Sequence, residues 1–272
     1  MIAKIINNLK LWGLAPDKIA AKYGWKAAPK ILANSIPKSG THLLERLLYL
    51  LPGISRQFAG TFWVQDDLPL FQQKCARLQN GQFMVSHLFY REEYPAILDE
   101  HGIKPILMIR DPRDVVISNV NYITRANKKH RLHDFFANHL QNDKERLHCC
   151  IKGSREPEEY SIGCFSEKFY PWTQSDKVLT IRFEDLIGQG GGGSEKAQKQ
   201  AVDRILDFIS VGLKQEERRE LIKRVFYTRS KTFNKGCINQ WNTVFDDDDK
   251  KLFKEVAGDW LIKYGYEKDF GW

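Results

Sequence analysis

A short polar loop between an apolar segment and a leucine-rich segment constrains the fold more than any other feature of this chain. Residues 31–33 form a short apolar run, which is typical of a buried parallel strand. Between Leu43 and Leu51 leucines recur on one helical face, and Pro52 and Gly53 end that helix. The loop between the two segments reads PKSGTH and leads into the helix, where unpaired N–H groups and the helix dipole favour an anion. The sequence therefore predicts a strand–loop–helix unit that binds a phosphate or sulfate group.

The alternation of strand and helix continues along the chain. Residues 82–88, 104–110 and 177–183 have the composition of strands, and helix-like segments separate them. With 272 residues, 42% of them hydrophobic, the chain can build one large core. We therefore predict a single α/β domain over residues 1–272, with a central, mostly parallel sheet flanked by helices.

Several segments lie outside this alternation. Residues 1–28 are predicted to form a helical cover over the core, and the acidic residues 246–249 the first turn of a helix. The glycine-rich segment 188–194 predicts a mobile surface loop. Residues 127–161 are polar and rich in histidine, and their length predicts a lid or a substrate loop.

The net charge of +8 predicts an anionic ligand. A basic tail or a basic helix with interleaved aromatic residues is missing from the sequence, so we do not expect a nucleic-acid partner. No run reaches the ~18 apolar residues of a membrane-spanning helix, so stable membrane insertion is not expected. The five cysteines lack metal-ligand spacing, which favours reduced thiols in a cytoplasmic protein.

A P-loop kinase is the nearest enzymatic alternative. Its GxxxxGK[ST] motif places the lysine after the last glycine and uses the Ser or Thr to bind magnesium. Here Lys38 precedes Gly40, and no glycine stands at the required distance upstream. The loop keeps a lysine, the hydroxyls of Ser39 and Thr41, and backbone donors, which can bind an anion without a metal. We therefore predict no metal site.

A second basic element follows the clearest predicted strand. Arg110 is its last residue, and Ser118 lies eight positions further on, about two turns into the next helix. Ligands of open α/β sheets bind at the carboxyl ends of the strands, and a guanidinium group pairs well with phosphate. An ion pair with Asp111 or Asp114 is an equally good interpretation of Arg110 at this point.

Four segments in order, PKSGTH, IRDPRDVVIS, VLTIRFEDL and FNKGCINQW, resemble the sulfotransferases that use 3′-phosphoadenosine 5′-phosphosulfate (PAPS). The resemblance covers residues 31–241. It implies a single-domain fold similar to that of nucleotide kinases, with PAPS as co-substrate and 3′-phosphoadenosine 5′-phosphate (PAP) as product. The glycine-rich loop after FEDL resembles bacterial members, which implies sulfation of a hydroxyl or amine on a small-molecule metabolite or natural product.

The resemblance also implies roles for individual residues. The residues implied to wrap the 5′-phosphosulfate are Lys38, Ser39, Gly40, Thr41 and His42. Those implied to bind the rest of the nucleotide are Arg110, Ser118, Lys235 and Gly236 at the 3′-phosphate, Phe183 at the adenine, and Asn234 where the family usually has arginine. His87 matches the catalytic base, with an unperturbed pKa near 6.5, and Lys38 would stabilise charge on the leaving nucleotide.

The acceptor is the least constrained part of this prediction. The residues assigned to its pocket are Phe58, Phe62, Trp63 and Asp66. Aromatic side chains indicate a flat or apolar acceptor and the carboxylate a cationic group, although Phe and Trp are more often core residues. A non-catalytic basic protein that binds a nucleotide or nucleic acid is the second alternative, and it would not need His87.

Overall fold

The computed structural model describes residues 16–57, 61, 63, 67–156, 158–226 and 237–272. Five strands form one sheet in the order β2-β3-β1-β4-β7, and each neighbouring pair in it is parallel. The sheet strands are β1 Lys30–Ser35, β2 Ser55–Arg56, β3 Gln82–Ser86, β4 Ile103–Ile109 and β7 Leu179–Arg182. A separate antiparallel pair joins β5 Ser154–Arg155 to β6 Glu158–Glu159. The predicted α/β fold with a central parallel sheet is confirmed.

Helices cover both faces of the sheet, because side chains alternate along each buried strand. Ile31 and Ala33 pack into a core cluster with Leu47, while Leu32 packs into a second cluster with Phe71 and Trp172. The helices are Pro16–Tyr23, Thr41–Leu50, Leu68–Arg77, Glu93–Glu100, Pro112–Asn121, His133–Asn138, Asp143–Lys152, Ile162–Thr173, Phe183–Leu186, Glu195–Phe208, Gln215–Val225, Trp241–Val244 and Asp247–Lys263, with a π-helical turn at Tyr122–Ala126 and a 3₁₀ turn at Gln189–Gly191. Among the described residues, no helix combines the length and apolar character needed to cross a membrane.

The segment 127–161 contains two helices that pack into the core, which the sequence did not indicate. Its helices His133–Asn138 and Asp143–Lys152 bury Phe136 and Ile151 in a third core cluster, together with Phe253. The few apolar residues of this mostly polar segment thus belong to the core. Only the residues that flank these helices can serve as a lid or a substrate loop, and that role stays a prediction.

The predicted surface position of the loop 188–194 is confirmed, since four of its seven residues are exposed, but part of the loop is packed and its mobility stays a prediction. Gly191 is buried, and its carbonyl accepts a hydrogen bond from the N–H of Ile238 at 3.2 Å. A Cβ at Gly190 would lie 2.5 Å from the Phe226 ring. The missing side chains therefore allow close packing here, whereas the sequence analysis interpreted them as a lack of anchoring.

The two chain ends agree with the sequence where the structure describes them. Residues 1–15 of the predicted N-terminal cover lie outside the described residues, but Pro16–Tyr23 is a helix and Ala20 is buried in the core. The acidic residues do occupy a first helical turn: Asp246 and Asp249 exchange backbone-to-side-chain hydrogen bonds in a capping box.

Candidate active site

The carboxyl ends of four parallel strands open into one cavity of about 1050 Å³. The phosphate loop, residues 37–42, follows β1; His87, Arg110 and Phe183 follow β3, β4 and β7. The predicted site residues that line the cavity are Lys38, Gly40, Thr41, His42, Trp63, His87, Arg110, Ser118 and Phe183. The predictions for Phe58, Phe62, Asp66, Asn234, Lys235 and Gly236 lie outside the described residues.

Gly40 determines the shape of the phosphate loop. Its φ is +97°, and a Cβ there would lie 2.6 Å from the Phe183 ring, so a side chain fits neither the backbone nor the space. Gly40 directly precedes the helix Thr41–Leu50, whose first turn has no side-chain cap. The N–H groups of Leu43 and Leu44 donate to the carbonyl of Gly40, so those of Thr41 and His42 are the ones available to an anion.

Two buried polar atoms at this edge have no hydrogen-bond partner among the described residues. They are Oγ of Ser39, which is fully buried, and Nε of Arg110, which is 5% exposed. Buried polar groups are nearly always paired in folded proteins, so unpaired donors beside a cavity fit an anionic ligand. The two donors come from different strand ends, which fits a ligand with more than one anionic group.

Lys38 reaches the cavity from the loop. Its Nζ lies 3.7 Å from the centre of the Tyr122 ring, a cation–π contact, and Tyr122 belongs to the π-helical turn. Burial lowers the pKa of Lys38 to about 8, and the charge of Arg110 contributes to this shift. Tyr122 was missed by the sequence analysis because no local pattern relates it to a lysine 84 positions earlier.

His87 is tied to the same loop by hydrogen bonds. Its Nδ1 lies 2.7 Å from the carbonyl oxygen of Ser35. A carbonyl only accepts, so Nδ1 carries the proton and the neutral ring keeps a lone pair on Nε2. The hydroxyl of Ser35 lies 3.2 Å from Nδ1 and 2.7 Å from Oγ1 of Thr41, which connects the imidazole to the loop.

The environment of His87 corrects the pKa expected from the sequence. Burial lowers the pKa of His87 to about 4, although its hydrogen bond to Ser35 acts in the opposite direction. The free protein therefore holds a neutral imidazole throughout the physiological pH range. The ring of Trp63 lies 4.6 Å from that of His87, centre to centre, so this predicted acceptor residue does adjoin the predicted base.

Asn34 positions the turn that carries His87, and the sequence analysis did not identify it. Its Oδ1 accepts hydrogen bonds from the N–H of Leu88 at 2.8 Å and the hydroxyl of Ser86 at 3.1 Å. Its Nδ2 donates to the carbonyl of Leu88 at 3.0 Å. A polar residue inside the apolar run of β1 was the available signal.

Arg110 lies in a network of buried charges that we call the Arg110 corner, comprising Arg110, Asp111, Arg113 and Asp114. Arg110 Nη2 donates to the carbonyl of Cys237 at 2.9 Å and to Asp114 at 3.4 Å. Asp111 pairs with Arg113 at 2.7 Å instead. The ion pair of Arg110 with Asp114, one of the two interpretations offered by the sequence, is therefore present. Because Nε of Arg110 is still unpaired, the other interpretation, a contact with an anionic ligand, is compatible with it.

Phe183 contacts Arg110, and its predicted contact with adenine stays a prediction. The guanidinium carbon lies 4.4 Å from the centre of the Phe183 ring. The same ring is the nearest neighbour of Gly40, as described above. Phe183 therefore contacts both the phosphate loop, at Gly40, and the Arg110 corner.

Aromatic rings form another part of the cavity wall. Phe89, Tyr160 and Phe165 meet edge to face, with ring centres 5.6–5.7 Å apart. Arg131 and Glu159 add an ion pair of 2.5 Å to the same wall. Tyr160, Arg131 and Glu159 belong to the segment 127–161, which therefore does reach the cavity. Within the described ranges, no three His, Cys, Asp or Glu side chains cluster as metal ligands.

Known proteins share this architecture. Residues 28–265 of this chain match the family model of the sulfotransferase domain. Sulfotransferase 1A1 of Rattus norvegicus is 22% identical over 249 residues, which cover 85% of this chain and 77% of the relative. Sulfotransferase 4A1 of Homo sapiens is 23% identical over 218 residues, which cover 77% and 72%.

Solved structures with the same fold include two PAP complexes. Mouse sulfotransferase SULT7A1 complexed with PAP has a TM-score of 0.60 at 18% identity, covering 92% of this chain and 94% of its own. Retinol dehydratase in complex with androsterone and inactive cofactor PAP has a TM-score of 0.57 at 15% identity, covering 90% and 85%. Because the matched domain spans most of the described fold and carries its site residues, this protein belongs to the sulfotransferase family of enzymes.

Proposed function

We propose that the protein transfers a sulfuryl group from PAPS to a hydroxyl or amine of a small molecule and releases PAP. The observation that carries this proposal is the pair of unpaired buried donors: Arg110 Nε, whose residue lines the cavity, and Ser39 Oγ, which lies in the loop between the cavity-lining residues Lys38 and Gly40. PAPS has anionic groups on both its 5′ and 3′ sides. A ligand of that kind would satisfy both donors at once.

The phosphate loop suits the 5′-phosphosulfate and the Arg110 corner the 3′-phosphate. Loop donors are the Ser39 hydroxyl and the uncapped first turn of the helix Thr41–Leu50. Ser118, on the helix that follows the corner, lines the cavity and can donate its hydroxyl to the same phosphate as Arg110. Asn234, Lys235 and Gly236 stay predicted contacts.

Lys38 is suited to stabilise the leaving nucleotide. PAPS supplies a sulfuryl group whose departure leaves negative charge on the bridging phosphate oxygen. The Lys38 ammonium group reaches the cavity from the loop and carries the charge that this oxygen requires. The ring of Tyr122 holds the ammonium group by a contact with a neutral partner, which an anion can replace without breaking an ion pair.

His87 is suited to take the proton from the acceptor. The hydrogen bond from Nδ1 to Ser35 orients the ring and leaves the lone pair of Nε2 to accept a proton. The low pKa makes the free imidazole a weak base, but a bound anion nearby favours the imidazolium and raises its pKa. His87 thus becomes a stronger base when the donor is present.

The aromatic part of the wall favours an acceptor with a flat apolar body. Phe89 and Phe165 supply ring edges, and Trp63 lies beside His87, where the reacting group must sit. The identity of the acceptor as a metabolite or natural product, the contacts of Phe58, Phe62 and Asp66, and a cytoplasmic location stay predictions.

The first test is nucleotide binding by calorimetry. The wild-type protein should prefer PAP to 5′-AMP by about 10- to 100-fold, since a hydrogen bond between charged groups contributes about 1.5–3 kcal/mol. Arg110→Ala should lose this preference and leave AMP binding unchanged. Arg125→Ala is the matched control, because Arg125 is exposed and paired with Asp143 on the surface. Equal affinity of the wild-type protein for PAP and AMP would contradict the proposal.

Turnover is then tested by mass spectrometry on an acceptor library with PAPS in the presence of EDTA. The expected result is a mass gain of one SO₃ on an acceptor. Loss of turnover in EDTA, with recovery on addition of magnesium, would favour the kinase alternative instead.

A further inference from the structure

We propose that the C-terminal segment positions Arg110 for the 3′-phosphate through a clamp around Arg113, an inference that rests on the function proposed above. The Arg113 clamp comprises Arg113, Trp241, Glu267 and Trp272. Its side chains do not line the cavity. They act on nucleotide binding through Arg110 and are positioning residues.

Arg113 is the centre of the clamp. Its side chain is 3% exposed and pairs with two carboxylates: Asp111 at 2.7 Å and Glu267 at 2.6 Å. Its guanidinium carbon lies 3.7 Å from the centre of the Trp241 ring and 4.5 Å from that of Trp272. The guanidinium group is thus held by two ion pairs and by contacts with two aromatic rings.

The two indole rings act through their faces. They are nearly perpendicular to each other, with centres 5.5 Å apart. Neither Nε1 of Trp241 nor Nε1 of Trp272 has a hydrogen-bond partner among the described residues, although both atoms are buried. Both indoles therefore contribute ring contacts and no hydrogen bond through Nε1. A phenylalanine at either position can keep a ring contact with Arg113 without the loss of a hydrogen bond.

Trp241 transmits the clamp to Arg110. The backbone N–H of Trp241 donates to Oδ1 of Asp114 at 3.1 Å. Oδ2 of the same carboxylate accepts a hydrogen bond from Arg110. Four residues before Trp241, the carbonyl of Cys237 accepts from Arg110 at 2.9 Å. The segment 237–241 therefore contacts Arg110 on one side and Arg113 on the other.

A parallel contact runs from the C-terminal segment to the backbone of the corner. The hydroxyl of Tyr266 donates to Glu184 at 3.1 Å, and Glu184 accepts the N–H of Asp111 at 2.9 Å. Residues 266, 267 and 272 thus reach the Arg110 corner by three separate contacts. The segment 266–272 is therefore fixed at more than one point.

The clamp matters because Arg110 has a long side chain whose rotamers must be restricted before it can bind a phosphate. When segment 237–241 is held, the carbonyl of Cys237 and the carboxylate of Asp114 fix Nη2 and leave Nε unpaired. When it is released, only a fraction of the molecules presents this geometry. The apparent PAP affinity then falls by that fraction, whereas AMP, which lacks the 3′-phosphate, is unaffected.

The test compares PAP and AMP binding by calorimetry in Trp272→Leu, Trp272→Phe, Trp241→Leu and Glu267→Gln proteins. Loss of a desolvated ring contact should weaken PAP binding about tenfold in Trp272→Leu and leave AMP binding within about twofold. Trp272→Phe should recover most of the PAP affinity. Phe270→Leu is the matched control, because Phe270 lies in the same segment, is 47% exposed and does not belong to the clamp.

Hydrogen exchange of the Trp241 amide, measured without nucleotide, tests the clamp independently of the proposed function. It should be faster in Trp272→Leu than in the wild type, because its acceptor Asp114 belongs to the same network. If the Leu variants fail to fold, Trp272→Phe and Glu267→Gln carry the test through a smaller fall in the PAP-to-AMP ratio. Unchanged exchange and an unchanged ratio in folded variants would overturn the clamp. A wild type without PAP preference would instead overturn the proposed function.

Discussion

The phosphate loop and the Arg110 corner present their donors to the cavity in different ways. The loop is six consecutive residues, and its shape follows from Gly40 and the start of one helix. The corner depends on segments that are far apart in sequence: Arg110 contacts Cys237, and Arg113 contacts Glu267 and Trp272. The loop offers mostly backbone donors, whereas the corner offers the guanidinium group of Arg110, which is held by the buried carboxylate of Asp114 and the carbonyl of Cys237.

This difference teaches where conformational order comes from at each site. A helix N-terminus presents its backbone donors as soon as the helix forms, so these donors need no distant side chain to orient them, although Arg110 Nη1 does donate to the carbonyl of Lys38 at 3.4 Å. An arginine side chain has many rotamers, and the corner restricts them with tertiary contacts. We therefore expect variants of the loop to alter catalysis and all nucleotide binding, and variants of the corner to alter 3′-phosphate selectivity.

The largest expected effect concerns His87, which hydrogen bonds join to the loop half of the site. His87→Ala should lower turnover by about 10²–10⁴-fold on an alcohol acceptor, because a general base is removed. Affinity for PAP and its preference over AMP should stay unchanged. Steady-state kinetics at saturating PAPS and calorimetry measure the two quantities.

His139→Ala is the control, since His139 is exposed and lies outside the cavity lining. An acceptor already deprotonated at the assay pH should lose less turnover in His87→Ala, because it needs no base. Normal turnover of His87→Ala on an alcohol would remove the general-base role. A lost PAP preference in this variant would show that the two regions are not separable.

The same contrast explains how much of the fold and site could be predicted. Leucine periodicity is a local signal, and the helix Thr41–Leu50 lies where it indicates; the helix predicted after Arg110 is Pro112–Asn121 and contains Ser118. The strand ends were displaced by a residue or two: Arg110 lies just beyond β4, and Phe183 begins a short helix. Such shifts did not matter, because the carboxyl ends of parallel strands converge in any case.

Tertiary contacts could not be predicted from local patterns. The packing of Gly190 against Phe226 and the cation–π contact of Lys38 with Tyr122 each join residues far apart in sequence. The pKa predicted for His87 was wrong for the same reason, because desolvation of the ring depends on which residues the fold places around it.

A smaller effect is expected at Gly40, where the loop touches Phe183 and hence the corner. In Gly40→Ala the alanine must adopt the positive φ of this position, which costs about 1–2 kcal/mol for a residue with a Cβ. The added Cβ also collides with the Phe183 ring. Calorimetry should show PAP and AMP binding weakened by a similar factor of about 10–100. Gly24→Ala is the matched control, since Gly24 has a φ of +69° but open space around it. If Gly40→Ala weakened PAP binding alone, the strain would act through Phe183 on Arg110, and the loop would not be independent of the corner.

The smallest effect concerns the charge of Lys38, which both regions influence. Burial lowers its pKa to about 8, and the positive charge of Arg110 contributes to that shift. The protonated form stabilises the leaving oxygen, so kcat/KM for PAPS should be constant below this pKa. It should fall as the pH rises through it, about tenfold for each further unit. Lys38→Arg should remove the alkaline fall, because a guanidinium group stays charged. Arg110→Ala should move the midpoint to higher pH, because a like charge is removed, while lowering kcat/KM at every pH. A midpoint that does not move would mean that the two regions act on the nucleotide without sensing each other's charge.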